Sequence, residues 1–446
     1  MIQIIPLGGY YEVGKNMTAL RVDNEIVILD IGLHLPNYIN FTQDEEEDVK
    51  FLSSDKLREA GAIPDDTFLW QYKNMVKAIC TTHAHLDHAG AISYVANRYD
   101  CHIFCTRFTG EVIKTICKDE KIKLRNQIHV LDENGQYKLT PDIKIEFINI
   151  THSTPQTVII AIHTKYGIIL YANDYKFDEH PTLGKKPNHK RFEQLGKQGN
   201  VLCLITDCLY SADARKMPGE RIVRQMLQEV IVDTDSRGKA VIITTFSSHL
   251  ARLKSIVEFS KKLGRKIVFM GRSLAKYSEA GKNAGIVDFS KDVEILRYSR
   301  QVRRKLKKIQ KEGSDKYVLV VTGHQGEPKA ALSKMANHEL PFTFRSGDHV
   351  IFSCITIPTP INFENRENLE KTLRNLGVSI YKDIHYSGHA AREDLREFIG
   401  ILKPKHLVPT HAEKKTLDAF LGLSLELGYK KEAVHIIKNF EILELE

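Results

Sequence analysis

Short apolar, β-forming runs recur through the first half of the chain: IVILDI (26–31), MVKAICTT (75–82), KIEFINI (144–150), TVIIAIH (157–163) and GIILYA (167–172). Their length and composition predict buried strands linked by loops. From about residue 208 the rhythm changes. VIITTF (241–246) runs into a helical pattern, SSHLARLKSIVEFSKKLG (247–264), with Ser247 or Ser248 as a natural N-cap. KIVFMG (266–271) follows, and a β-α-β order implies a parallel pair. YVLVVTG (317–323) and HVIFSC (349–354) read as further strands of that sheet. After the Pro-rich turn TIPTPIN (356–362), the pattern predicts helices near 364–377 and 391–402, a strand around 406–410 and another helix. The whole is an α/β chain.

At 446 residues the chain exceeds what one hydrophobic core usually organises, so two domains are expected. The content of 42% hydrophobic and 27% charged residues is that of a globular protein. No apolar run reaches bilayer-spanning length, and the start, MIQIIPLGGYYEVGKN, lacks a basic segment and a small-residue cleavage site. A cytoplasmic protein without membrane partners is therefore expected. Seven scattered cysteines, from Cys80 to Cys354, form no disulfide framework, and Cys101 and Cys105 have no second pair to make a zinc ribbon. The net charge of +8 favours an anionic partner. SRQVRRKLKKIQKEG (299–313) is dense in Lys and Arg; it reads as a solvated helix face, with phosphate contact as the alternative.

The chemistry is concentrated in TTHAHLDHAG (81–90), which sets His83, His85, Asp87 and His88 within six positions at the end of a strand. One such histidine would be an ordinary polar residue. Three with a carboxylate need a cation to organise them, and zinc is the first choice for nitrogen and oxygen ligands. Further candidates stand at other strand ends: His152 in NITHSTPQ, Asp174 in LYANDYKFD and His411 in LVPTHAEKK. Asp30 in VILDIG is placed to orient a ligand histidine.

HAHLDH (83–88), His152 and Asp174, in that order, resemble the ligand pattern of the metallo-β-lactamase superfamily. TTFSSHLARLKSIVEFSKKLGRKIVFMGRSL (244–274), TGHQGEP (322–328), YSGHAAREDL (386–395) and PTHAEKK (409–415) resemble its β-CASP branch, and within it ribonuclease J, over essentially the whole chain. The resemblance implies an αββα sandwich, residues 1–207 and 366–446, carrying an inserted α/β domain of mostly parallel strands at 208–365. It implies two divalent metal ions, zinc or manganese: His83, His85 and His152 on one, Asp87, His88 and His411 on the other, Asp174 bridging. Asp207 in ITDCLYS and His389 in SGHA match the acidic residue and the histidine that flank the insertion. A histidine at 411 is typical of the RNA-processing members, where DNA-repair members usually carry valine. The pattern is broken at Asn173, where glycine is usual, at HAE (411–413) for HGE, and at His324, which replaces a small residue. The resemblance is to the shorter archaeal-type form, without the C-terminal domain of bacterial ribonuclease J, so a homodimer is expected only if it forms other than through that tail.

The activity implied is hydrolysis of single-stranded RNA from 5′ to 3′, with internal cutting as the alternative. Two metals about 3.5–4 Å apart generate hydroxide near neutral pH and neutralise the charge on the phosphate. Asp87 or Asp174 would hold the attacking hydroxide, while His389, oriented by Asp207 and flanked by the mobile backbone of Ser387 and Gly388, would stabilise the phosphate or protonate the leaving 3′-oxygen. A pocket for a 5′-monophosphate is expected at Ser247, Arg272 and Ser273, and bases would stack on Phe246 or Tyr210 in a channel between the domains. The rival readings are a small-molecule hydrolase, which has no use for the insertion, a DNA nuclease, and a silent RNA-binding scaffold, which would have lost ligands.

Overall fold

The computed structural model describes residues 1–43, 53–357 and 359–445. The chain divides into two compact units: residues 1–179, 185–217 and 388–446 form the first, residues 180–184 and 218–387 the second.

The first unit holds two sheets. One has seven strands in the order Leu443–Leu445, Ile2–Gly8, Met17–Val22, Glu25–Leu29, Val76–Cys80, His102–Cys105 and Ile128–Val130. The other has six, in the order His406–Thr410, Val201–Asp207, Gly167–Ala172, Val158–Thr164, Lys144–Asn149 and Gln136–Lys138. Strand periodicity explains their apolar runs. In Gly167–Ala172, Ile169 and Tyr171 enter the core between the sheets, while Ile168, Leu170 and Ala172 face the helices outside. In Glu25–Leu29, Val27 and Leu29 point inward, and Ile26 and Ile28 outward. With both faces buried, neither strand can afford alternating polarity. The helices Arg107–Asp119 on one side, and His189–Gln198, Arg392–Leu402 and Lys414–Glu426 on the other, complete the helix–sheet–sheet–helix layers.

The second unit is one parallel sheet of six strands, ordered Val293–Leu296, Lys266–Met270, Tyr317–Val321, Val241–Thr244, His349–Phe352 and Ser379–Tyr381. Three features differ from the sequence-based expectation. Residues 366–387 fold with this unit because Ser379–Tyr381 pairs in parallel with His349–Phe352, and the return to the first unit begins at Gly388. Residues 208–217 stay with the first unit, where the Cys208 amide donates to the Thr410 carbonyl and the Met217 amide to Asp394. The helix after the Pro-rich turn starts at Pro360, four residues early, because Thr359 Oγ1 caps the Asn362 amide; Pro358 of that turn lies outside the described residues.

Neither Ser247 nor Ser248 caps the helix Leu250–Lys262. His249 does, its Nδ1 accepting from the Arg252 amide at 3.3 Å. Arg252 is itself fully buried. Its guanidinium meets both Glu220 carboxylate oxygens at 2.6 and 2.8 Å, and donates to the Ser353 and Ile384 carbonyls at 3.0 and 3.2 Å. One cation thus joins two helices to the end of a central strand. All seven cysteines are free thiols, six of them buried. No helix of the described residues is long and apolar enough to cross a membrane.

Removing one partner of a buried pair strands the other, so Arg252→Met is expected to destabilise the second unit by about 3–5 kcal/mol in denaturant unfolding, with Arg252→Met/Glu220→Leu recovering part of the loss. Glu146, in the first unit, supplies a pH-dependent contribution. Burial raises its pKa, but His163 and Arg191, whose guanidinium reaches both oxygens at 2.6 and 2.9 Å, outweigh that and hold it at about 2. A depressed carboxylate stabilises above its ordinary range and loses that contribution as pH falls through its folded value. Wild type should therefore exceed Glu146→Gln by about 1–2 kcal/mol at pH 7, allowing for solvent screening. The gap should close between about pH 4.5 and pH 2 when unfolding is followed by circular dichroism.

Candidate metal centre

Asp30 and four of the candidate ligands converge because they stand just past the C-terminal ends of strands of the first unit: Asp30 after Glu25–Leu29, His83 after Val76–Cys80, His152 after Lys144–Asn149, Asp174 after Gly167–Ala172 and His411 after His406–Thr410. His85, Asp87 and His88 enter from the loop and short helix after His83. His83, His85, His152 and Asp174 bring one ligand atom each within 4.8 Å of one another, and so do Asp87, His88 and His411. Asp174 also groups with His389 and His411. Asp30, Asp174 and His411 all adopt left-handed backbone, with φ of 59°, 61° and 55°. Such conformations cost on the order of 1–3 kcal/mol each and persist where the surroundings impose them.

Hydrogen bonding fixes which ring nitrogen faces the centre. The His152 Nδ1–H donates to the Gly388 carbonyl at 2.7 Å, which leaves Nε2 as the lone pair. The Thr82 hydroxyl donates to the Asp30 carboxylate at 2.9 Å, so its oxygen accepts from the His83 Nδ1–H at 3.0 Å, again exposing Nε2. His88 Nδ1–H donates to Asp30 at 2.8 Å, and His411 Nδ1–H to Asn16 Oδ1 at 3.1 Å. Four histidines are thus turned the same way. His83 Nε2 and His152 Nε2 each approach His85 Nδ1 to 3.1 Å. That nitrogen carries at most one hydrogen for two lone pairs, so the contacts cannot all be hydrogen bonds. Nitrogens about 2.0–2.1 Å from a tetrahedral zinc ion are separated by a similar distance. Asp174 Oδ1 is buried with no hydrogen-bond partner among the described residues. The donor set fits divalent metal.

The electrostatics agree for three of the rings; at His88 burial lowers the pKa, but Asp174, Asp87 and Asp30 outweigh that and raise it well above the usual histidine range. Burial, helped by neighbouring imidazoles, holds His83 and His152 well below the usual histidine range, and burial brings His85 down to about 4. These rings are neutral at pH 7, the form that binds metal. Burial opposes charge on Asp174 too, yet His88, His411 and His389 keep its carboxyl well below the ordinary range. His389 behaves differently. Burial lowers it, but Asp174 and Asp207 overcome that and raise it to about 9. Its Nδ1–H donates to Asp207 Oδ2 at 2.6 Å, and Asp207 Oδ1 is pinned by the Leu209 amide at 2.8 Å.

Asn16 was not legible as a site residue. It is buried, its Nδ2 lies 3.0 Å from both the Asp87 carbonyl and His88 Nε2, and its Oδ1 takes hydrogens from His411 and Asn173. One amide therefore spans two candidate ligands from loops far apart in sequence. Asn173, where glycine was expected, has ordinary backbone; the positive φ falls on Asp174 instead. Gly388 is packed closely against His152. A Cβ there would come within 2.6 Å of His152 Nδ1, so the residue orients a candidate ligand through its carbonyl. Ser247, Arg272, Ser273 and Ser387 belong to the second unit. Ser247 Oγ and Ser273 Oγ are 2.9 Å apart, and Arg272 is exposed at the start of the helix Arg272–Asn283. Tyr210 stays in the first unit, its ring centroid 6.0 Å from that of His389.

Three family models match the chain: the metallo-beta-lactamase superfamily at residues 73–195, the ribonuclease J beta-CASP domain at 238–376, and a Zn-dependent metallo-hydrolase RNA specificity domain at 379–433. Ribonuclease J of Methanocaldococcus jannaschii is 41% identical over 447 residues, covering 100% of this chain and 99% of the relative. Ribonuclease J of Pyrococcus abyssi is 40% identical over 450 residues, covering 100% and 97%. Ribonuclease J 2 of Staphylococcus aureus is 29% identical over 447 residues, covering 99% and 74%. A crystal structure of a protein of unknown function from Enterococcus faecalis V583 matches with a TM-score of 0.66 over 100% of both chains, at 15% identity, a likeness of fold alone. With full-length relatives at this level of identity, the chain belongs to the ribonuclease J family.

Proposed function

We propose that this chain is a metal-dependent ribonuclease that shortens single-stranded RNA from the 5′ end, with preference for a 5′-monophosphate. The observation that supports it best is the pairing of two ligand groups through Asp174 with a histidine hydrogen-bonded beside them to Asp207. Two divalent ions, zinc or manganese, would supply hydroxide at neutral pH and charge neutralisation at the phosphate. His83, His85 and His152 would hold one, Asp87, His88 and His411 the other, with Asp174 between them.

The remaining residues orient and donate. Asp30 and Asn16 keep His88 and His411 turned toward the centre. With Nδ1 committed to Asp207, His389 offers Nε2–H to a scissile phosphate oxygen or to the departing 3′-oxygen. Ser247, Arg272 and Ser273, gathered at strand ends of the second unit, are the proposed anchors for a terminal phosphate, the guanidinium supplying charge-assisted hydrogen bonds.

Three 3′-labelled RNAs, ending in 5′-monophosphate, 5′-triphosphate or 5′-hydroxyl, and a DNA copy test this reading with added zinc or manganese. The monophosphate RNA is expected to shorten progressively from its 5′ end, and His85→Ala to abolish cutting. Internal cutting regardless of the end would refute the end pocket, and intact RNA in the presence of bound metal would refute the nuclease.

Orienting and donating roles separate in a second measurement. Asn16→Ala and Asp30→Asn are expected to weaken metal binding by 10–100-fold in chelator competition, with activity restored by excess metal. His389→Gln should retain full metal content, yet lose 10²–10⁴ in kcat at every metal concentration.

A further inference from the structure

The helix Ser299–Glu312 buries Val302, Leu306 and Ile309 in the core of the second unit. Arg300, Arg304, Lys307 and Lys311 follow one another at four-, three- and four-residue steps and are all exposed. That spacing makes a single row on the side opposite the buried residues, about 16 Å long with cations about 4.5–6 Å apart. An ordinary solvated face would intersperse carboxylates. Here the neighbours off the row are engaged: Lys305 pairs with Glu294, Lys308 with Glu312 at 3.6 Å, and Arg303 donates to the Glu339 backbone carbonyl at 3.0 Å. Among the described residues, the four on the row have no ion pair.

We infer that this row binds the phosphate backbone of RNA outside the catalytic centre, a contact that rests on the ribonuclease reading above for its ligand. Cations at this spacing meet successive phosphates of one strand and carry no base preference. Tyr298, 59% exposed immediately before the helix, adds a ring on which a base stacks. A membrane surface is disfavoured, because the apolar side of the helix is already committed to the core. The row also starts at a telling place. Its helix follows the strand Val293–Leu296, which pairs with Lys266–Met270, and the Gly271 amide donates to the Leu296 carbonyl at 3.0 Å. Arg300 therefore lies one strand along the sheet edge from Arg272 and Ser273, and the row leads away from them.

Binding of a fluorescent 30-nucleotide RNA, followed by anisotropy between 50 and 200 mM KCl on the His85→Ala chain, tests the inference. The variant R300Q/R304Q/K307Q/K311Q is expected to reduce the slope of log affinity against log salt by about 3, since each cation that meets a phosphate of a single strand releases about 0.7 counterion, and the variant loses four. Affinity at 50 mM salt should fall at least tenfold. The halves R300Q/R304Q and K307Q/K311Q should each give about half the change in slope, which keeps the test alive if the fourfold variant is poorly folded. K73Q/K118Q/K123Q/K197Q, an equal charge change on exposed lysines of the first unit, should leave the slope as it was. An unchanged slope in the row variants overturns the inference and points to an acidic protein segment instead. Equal losses in the control overturn it in favour of net charge. Should wild type fail to cut RNA while the row variants still lose slope, the RNA-binding face stands and the nuclease reading falls.

Discussion

Everything in the first unit answers to one constraint: imidazole lone pairs must be aimed at a point before any ion arrives. A neutral histidine can turn either nitrogen inward, and only an outside acceptor for the other nitrogen decides. The structure supplies four such acceptors, of four kinds: a hydroxyl at Thr82, a carboxylate at Asp30, an amide oxygen at Asn16 and a backbone carbonyl at Gly388. Because these come from loops at several strand ends, the sheets have to be in register before the histidines are. The double-faced apolar strands do this work, since a one-residue slip would exchange the inner core for the outer one.

This hierarchy explains what was legible in the sequence. Strands such as Gly167–Ala172 announce themselves because burial on both faces leaves a continuous apolar run, and HAHLDH stands out because its chemistry is improbable without a cation. Asn16 gave no such signal. A lone asparagine after a glycine-rich loop looks like an ordinary turn residue, and its importance comes from tertiary contacts with Asp87, His88, Asn173 and His411. Gly388 misled for a related reason: glycine reads as freedom, whereas here the missing side chain makes room for His152.

The second unit shows the same limits in a different form. Its parallel strands were readable, but its end was not, because Ser379–Tyr381 is short and only half-buried and earns its place by pairing. His249 capped a helix where a serine was expected, since the turn after Val241–Thr244 puts the imidazole, not a hydroxyl, beside the Arg252 amide. Local propensity proposes a residue, and the path of the chain disposes of it.

The first unit is interrupted, and that has a consequence in time. Strand Val201–Asp207 pairs with His406–Thr410, whose following residue is His411, and His389 also lies beyond the second unit. A ribosome adding about 5–20 residues per second needs roughly 10–40 s to travel between those two strands. During that interval His83, His85, His88 and His152 have emerged, while the histidines at 389 and 411 have not. Two of the groups proposed for the centre are thus missing until the second unit has been made. A split fold of this kind sets, by chain order alone, when each of the proposed ligands becomes available.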